Sequence, residues 1–295
     1  MSQTELTIHK LSVLIFGEIL AVTSIYFVKS STMNPMILSG ARLLLASLLL
    51  LPLAMREYRD SGEPFRFKDV IPSLFPGLLL GFHFITWITG GRMIPSANAT
   101  LIVNLTPAAM PFFLFLLTHE RINRSEALGT GLVLMGSFIL AYTDLQLGGD
   151  YFKGDMILFV SMLAMAAYPV FSKRSMKGTF SYLVPLYLTG SLLCFLTALL
   201  TGVDFTAPMT VNDWIALFGL GVVCTVGGHS IMNWSMKHMR GQIVSLFHTT
   251  QFFFAGIIGY IAFKEIPGRN FFISTVVILC GLIISITARS RRKLT

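Results

Sequence analysis

The chain has 295 residues, of which 54% are hydrophobic and 12% charged, with a mean hydropathy of +0.73. Soluble domains carry about 25% charged residues, so this composition excludes a disordered chain and a disulfide-rich secreted domain and leaves a polytopic membrane protein. The net charge of +8 sits in short segments between apolar runs, so it reports membrane topology rather than nucleic-acid binding.

A helix needs about 20 apolar residues to cross a bilayer. Ten such runs follow one another, near 11–29, 35–55, 70–90, 96–118, 125–142, 155–174, 180–201, 213–235, 241–262 and 270–288. The first, from Leu11, reads as a retained helix: its polar head is short and no A-x-A site follows it. Pro, Gly and Asn punctuate the joints, as in STMNP at 31–35, GRMIP at 91–95 and LGGDYFKGD at 147–155. With the N-terminus inside, sixteen Lys and Arg fall on the cytoplasmic side and five on the outer side (Lys29, Arg92, Lys153, Lys264 and Arg269). This bias places both termini in the cytoplasm.

The first and second spans hold the costliest residues. A charge in mid-membrane requires an account, and Glu18 and Arg42 each lie about 10 Å along the helix from the near end of their span. The pair reads as a zwitterion clamp or a proton-linked carboxylate; the alternative is a structural ion pair with Arg42 snorkelling outward. In the third span His83 and Trp87 share a helix face, as His229 and Asn233 do in the eighth. Their functional reading is substrate contact or proton relay, and their plain reading is a helix-to-helix hydrogen bond. A shift of 145 residues carries His83 to 228, one short of His229, and that offset turns a helix by about 100°.

The fourth span places Thr100, Asn104 and Pro107 on one stripe, with Pro107 and Pro111 as expected kinks. The ninth brings Ser245, His248, Thr249 and Gln251 to the matching depth, which describes the lining of a central cavity. Interhelical hydrogen bonding accounts for Ser245 and Thr100 but less well for bulky His248 and Gln251. Glu18, His83 and His248 are the proton-coupling candidates. Paired glycines, among them Gly77 and Gly81, Gly129 and Gly136, and Gly227 and Gly228, read as close helix packing. Cys194, Cys224 and Cys280 lie in apolar runs without metal spacing and read as small buried hydrophobes. No P-loop, HExxH or GxSxG pattern occurs, so no ATP motor, cofactor, metal or catalytic residue is expected.

The halves resemble each other. A shift of 144 brings Lys29 onto Lys173 and Ser47 onto Ser191; a shift of 145 brings Glu120 onto Glu265, Arg124 onto Arg269 and Gly136 onto Gly281. Five helices per half is an odd number, so the second copy is expected upside down. This five-plus-five pattern, the ARLLLASLLLLPL run, and the order of apolar helix, Glu, polar turn and Gly-rich helix at 112–136 and 253–281 resemble the drug/metabolite transporter superfamily, specifically its EamA-type members. The resemblance implies transport of amino acids, nucleotide-like metabolites, opines or organic cations through one cavity.

The resulting expectation is an all-α polytopic membrane protein. Its ten transmembrane helices form two inverted five-helix repeats, residues 1–146 and 147–295, around a central cavity. It is a secondary transporter of the bacterial cytoplasmic (inner) membrane, exporting a small amino-acid-like or amphipathic metabolite by alternating access. The alternatives are an uptake carrier or exchanger of the same fold and, more remotely, an intramembrane enzyme. Its expected partners are the small-molecule substrate, the lipid bilayer and protons, with no nucleic acid, in a monomer or weak homodimer. A reporter after Thr295 and one near Ser61 are expected to read cytoplasmic and one near Gly149 external; an external reading at Ser61 overturns the arrangement.

Overall fold

The computed structural model describes residues 3–62, 66–144, 149–175, 178–266 and 268–291, and these are helical with no strand among them. In chain order, α1 (Gln3–Val22) and α2 (Ser24–Ser30) form one apolar rod bent at Thr23, whose hydroxyl donates to the Leu20 carbonyl at 2.7 Å. Such back-bonding by Thr bends a helix by competing with its backbone ladder. Helix α3 (Pro35–Ser61) shows local sequence setting both ends. The Asn34 side chain accepts from Met36 N at 2.9 Å, Pro35 needs no donor in the first turn, and Gly62 at φ 67° closes the helix.

Helix α4 spans Ile71–Gly91. The fourth apolar run is two helices, α5 (Ser96–Val103) and α6 (Thr106–Thr118), and α7 (Arg124–Asp144) follows. Next come α8 (Gly149–Ser175) and α9 (Phe180–Leu200). The eighth run starts as α10 (Val211–Phe218), capped reciprocally by Thr210 and Asp213, widens into a π-helical segment over Gly219–His229, and ends as α11 (Ser230–His238). The ninth is again divided, into α12 (Gly241–Thr249) and α13 (Gln251–Phe263), before α14 (Arg269–Arg291).

Among the described residues, eight helical stretches are long and apolar enough to cross a membrane. Helices α7 and α14 pack chiefly along each other, and α7 also packs against α5, α6 and α12. Helix α4 is held between α8 and α9, α3 lies along α9, and α1 lies along the π segment and α11. Large apolar side chains such as Leu49, Phe112, Phe138 and Leu196 point outward, as lipid-facing residues do.

Two expectations change here. The joint at 147–155 is mostly helix, because α8 begins at Gly149 with Asp150 in its first turn, where the helix dipole favours a carboxylate. Cys194 and Cys224 are buried, whereas Cys280 is exposed on the outer surface of α14, a position lipid accommodates as well as a core would.

The glycines set how closely α4 and α9 approach. A Cβ on Gly81 falls 2.6 Å from the Gly190 carbonyl oxygen, and one on Gly77 falls 2.6 Å from that of Leu186. Gly131 has nothing within 4 Å of an added Cβ. Gly81→Val therefore forces the helices apart and is expected to lower the melting temperature by about 5 °C or more. Gly131→Ala, which only improves helix propensity, is expected to leave it unchanged or raise it by about 2 °C. Thermal denaturation in detergent measures both.

Candidate functional site

The fourth and ninth spans both break at mid-depth. Helix α5 ends at Asn104, whose N–H bonds the carbonyls of Thr100 and Leu101 at 3.1 Å each, and α6 restarts at Thr106. Pro107 lies in the first turn of α6, where its missing N–H does no harm, so the break precedes it; Pro111 sits inside the helix. The ninth span breaks at Thr250 without any proline. Interrupted helices expose backbone and place short polar side chains at mid-membrane, which is tolerated only inside protein.

Around these breaks lies a chain of buried polar groups. His248 Nδ1 is 2.8 Å from Glu18 Oε2, and Gln251 Nε2 donates to the same oxygen. Asn104 Nδ2 donates to Gln251 Oε1 at 3.2 Å, and Thr249 Oγ1 donates to the Asn104 carbonyl at 2.9 Å. Glu18 is 4% exposed, and its Oε1 has no hydrogen-bond partner.

Arg42 is fully buried and does not snorkel. It also makes no ion pair with Glu18: the carboxylate is held by α12 and α13, while the guanidinium is turned to the eighth span. There Nε and Nη2 donate to Thr225 Oγ1 at 3.0 and 2.9 Å, and the guanidinium carbon lies 3.9 Å from the Phe84 ring centroid. Its Nη1 has no partner. The π segment makes this contact. Thr225 Oγ1 donates to the Leu220 carbonyl five residues back, at 2.7 Å, and accepts from Arg42 on its other side.

The one-residue offset does not separate the two histidines. His83 and His229 line the same cavity, with ring centroids 6.4 Å apart. His83 Nδ1 meets Ser161 Oγ at 2.9 Å, and His229 Nδ1 meets the Tyr168 hydroxyl at 3.2 Å. Each histidine thus makes the interhelical bond of the plain reading while one side of its ring faces the cavity. Trp87, Asn104, His248 and Gln251 join them in the lining, as does Arg42. Asn233 does not: its amide donates to the His229 carbonyl at 2.8 Å, beneath the cavity wall.

The cavity has space for about 20 Å³, room for one ordered water. A second, of about 10 Å³, shares His248 and Met165 with it and is lined by Met110, Met232 and Met236. Both are too small for a solute larger than a water molecule in this conformation. Thr225, Phe84, Ser161 and Tyr168 hold the site together without any signal in their own spacing, because each is chosen by a partner on a distant helix.

The matches to known proteins agree with this architecture. The family model described as the EamA-like transporter family matches residues 10–142 and again 152–287. The chain is 26% identical over 283 residues to an uncharacterized transporter of Archaeoglobus fulgidus, covering 92% of this chain and 94% of the relative. A solved crystal structure shares the fold with a TM-score of 0.74 at 16% identity, over 95% of this chain and 98% of the other. With ten apolar runs in its sequence, broken helices lining a small polar cavity and the family pattern matched once in each half, this chain belongs to the EamA-like transporter family.

Proposed function

We propose that the chain is a secondary exporter of a small amino-acid-like solute, with Arg42 receiving the solute's carboxylate. One observation carries the reading. A guanidinium that is wholly buried, has no carboxylate in reach among the described residues and keeps Nη1 unpartnered beside a cavity is held at a large desolvation cost. A bound carboxylate offsets that cost through charge-assisted hydrogen bonds. Glu18, with its free Oε1, supplies the complementary charge for an ammonium group through the His248 and Gln251 wall. The methionines beyond His248 are flexible and apolar, which suits an aliphatic or aromatic side chain.

In this reading α7 and α14 also cross the membrane, giving ten spans in two inverted repeats, residues 1–146 and 147–295. What supports it is the matched breaks at Asn104–Leu105 and Thr250, the two family matches, and the Lys/Arg bias, which favours cytoplasmic termini; the membrane in this reading is a bacterial inner membrane. The carrier works as a monomer or weak homodimer, and rocking of the repeats exposes the site to one side at a time.

The test is a thermal-shift screen of purified protein against amino acids and their decarboxylated or amidated analogues, because a ligand that binds only the folded state stabilises it. Zwitterions are expected to raise the melting temperature and their amides are not. Arg42→Gln is expected to weaken that binding by about tenfold or more, the loss of one charge-assisted contact. Stabilisation by amines lacking a carboxylate refutes the role of Arg42.

Proton linkage gives a second prediction. Glu18→Gln is expected to abolish the dependence of efflux on an imposed pH gradient in proteoliposomes while downhill exchange continues. His83→Gln and His248→Gln separate the histidines from the carboxylate in the same assay. Wild-type efflux that ignores the gradient removes protons from the cycle.

A further inference from the structure

Outside the cavity, the structure contains two small assemblies built to one plan on opposite faces. At the face bearing the chain termini, α6 ends with His119 in the left-handed region at φ 56°, and Glu120 follows. Glu120 Oε2 accepts from Lys173 Nζ, near the end of α8, at 2.6 Å, and Oε1 accepts from Gly241 N, the first residue of α12, at 3.2 Å. At the other face, α13 ends with Lys264 in the left-handed region at φ 59°, and Glu265 follows. Glu265 Oε1 accepts from Lys29 Nζ, near the end of α2, at 2.5 Å, and Oε2 accepts from Ser96 N, the first residue of α5, at 2.8 Å.

Each glutamate therefore ties three things together: the end of one broken span, the start of the other broken span, and the end of α2 or α8. The N-terminal amide adds to the Lys partner, since a helix N-terminus favours a carboxylate. His119 and Lys264 are the two non-glycine residues with positive φ among the described residues. That conformation is disfavoured for side chains other than Gly, and here it turns the following glutamate back over the helix end. The side chains of the four charged residues are 14–25% exposed, so water reaches them as soon as the assembly loosens. Both assemblies are made at once, and the cavity between them has room for about one water.

We infer that Lys29–Glu265–Ser96 and Lys173–Glu120–Gly241 are the two gate latches of the carrier, one for each face, and that each half of the cycle breaks one while the other stays made. The present arrangement, with both made, is the occluded state. Each face carries a further arginine tie, and at the face of the termini it is made by Arg240. Arg240, just before α12, spans Glu126 with Nε on Oε1 at 2.5 Å and Nη2 on Oε2 at 2.7 Å. The equivalent position under the 145-residue shift is Pro95, which has no side-chain donor. On the opposite face Arg92 makes a comparable tie, with Nε donating to the Val28 carbonyl at 2.9 Å and Nη1 to the Met33 carbonyl at 2.7 Å. The inference rests on alternating access, so its test reads that separately.

The experiment uses the full chain in proteoliposomes with Ser24→Cys as reporter, since Ser24 lines the cavity and holds no part of either latch. Cys280→Ser removes the exposed native thiol. A membrane-impermeant maleimide is applied from each side in turn. Glu265→Gln and Lys29→Gln are each expected to raise labelling from the face opposite the termini on the order of fivefold, the population shift that follows loss of one part-buried ion pair. Glu120→Gln and Lys173→Gln are expected to raise labelling from the face of the termini. Lys29→Gln and Lys173→Gln keep the helix-start hydrogen bonds of the glutamates, so they serve where a glutamate variant fails to fold. If wild type alternates but the four substitutions do not change sidedness, or change both sides alike, the latches are refuted and alternating access stands. If the reporter in wild type is open to both sides at once, alternating access fails and the latches with it.

Discussion

The hydrogen-bonded chain from Glu18 through His248 and Gln251 to Asn104 is what the rest of the structure is arranged around. It crosses three spans at the depth where two of them are interrupted. In lipid a polar group that is not bonded within the protein costs several kcal/mol, so a break in a span is admissible only where other helices close over it. Helices α1, α5 and α13 meet there for that reason, and Thr249 Oγ1 donates to the Asn104 carbonyl that the end of α5 leaves open. The glycine contacts elsewhere serve this closure: Gly228 lets the π segment come within 2.9 Å, measured from an added Cβ, of the Ala21 backbone, one turn from Glu18.

Arg42 follows a different logic. Its two hydrogen bonds to Thr225 and the stacking on Phe84 orient the guanidinium without neutralising it. Glu18, the other charged residue inside these spans, is engaged by His248 and Gln251. The Thr and the aromatic ring leave the Arg42 charge available. The π-helical stretch over Gly219–His229 is part of the same arrangement, since it aims Thr225 at Arg42 and His229 at the cavity from one segment.

Most of the architecture is legible in single residues and their periods. The apolar runs mark the helices because twenty apolar residues have no other stable place than a bilayer or a large core. Asn34, Pro35 and Gly62 mark both ends of α3, and the recurrence of Lys and Glu after 144 and 145 residues marks the repeat. Arg42, His83, Trp87, Asn104, His229, His248 and Gln251 come together around one cavity, with Glu18 behind His248 and Gln251, because a strongly polar side chain in a span has few places to go. Asn233 lies beneath the wall because its helix face is turned to Tyr168 and its own backbone.

The sequence by itself thus determined the helical membrane class, the depth of each polar group and the charges near the span ends, since these depend on local composition and on solvent. The tertiary structure decided which group meets which. Glu18 takes His248 rather than Arg42, and Arg42 takes Thr225. The repeat-related Lys and Glu residues join across the halves rather than within them. Partner choice of this kind depends on rotations about helix axes of a few tens of degrees and on one π-helical insertion. No local pattern encodes those angles, because they are set by how all the helices pack together.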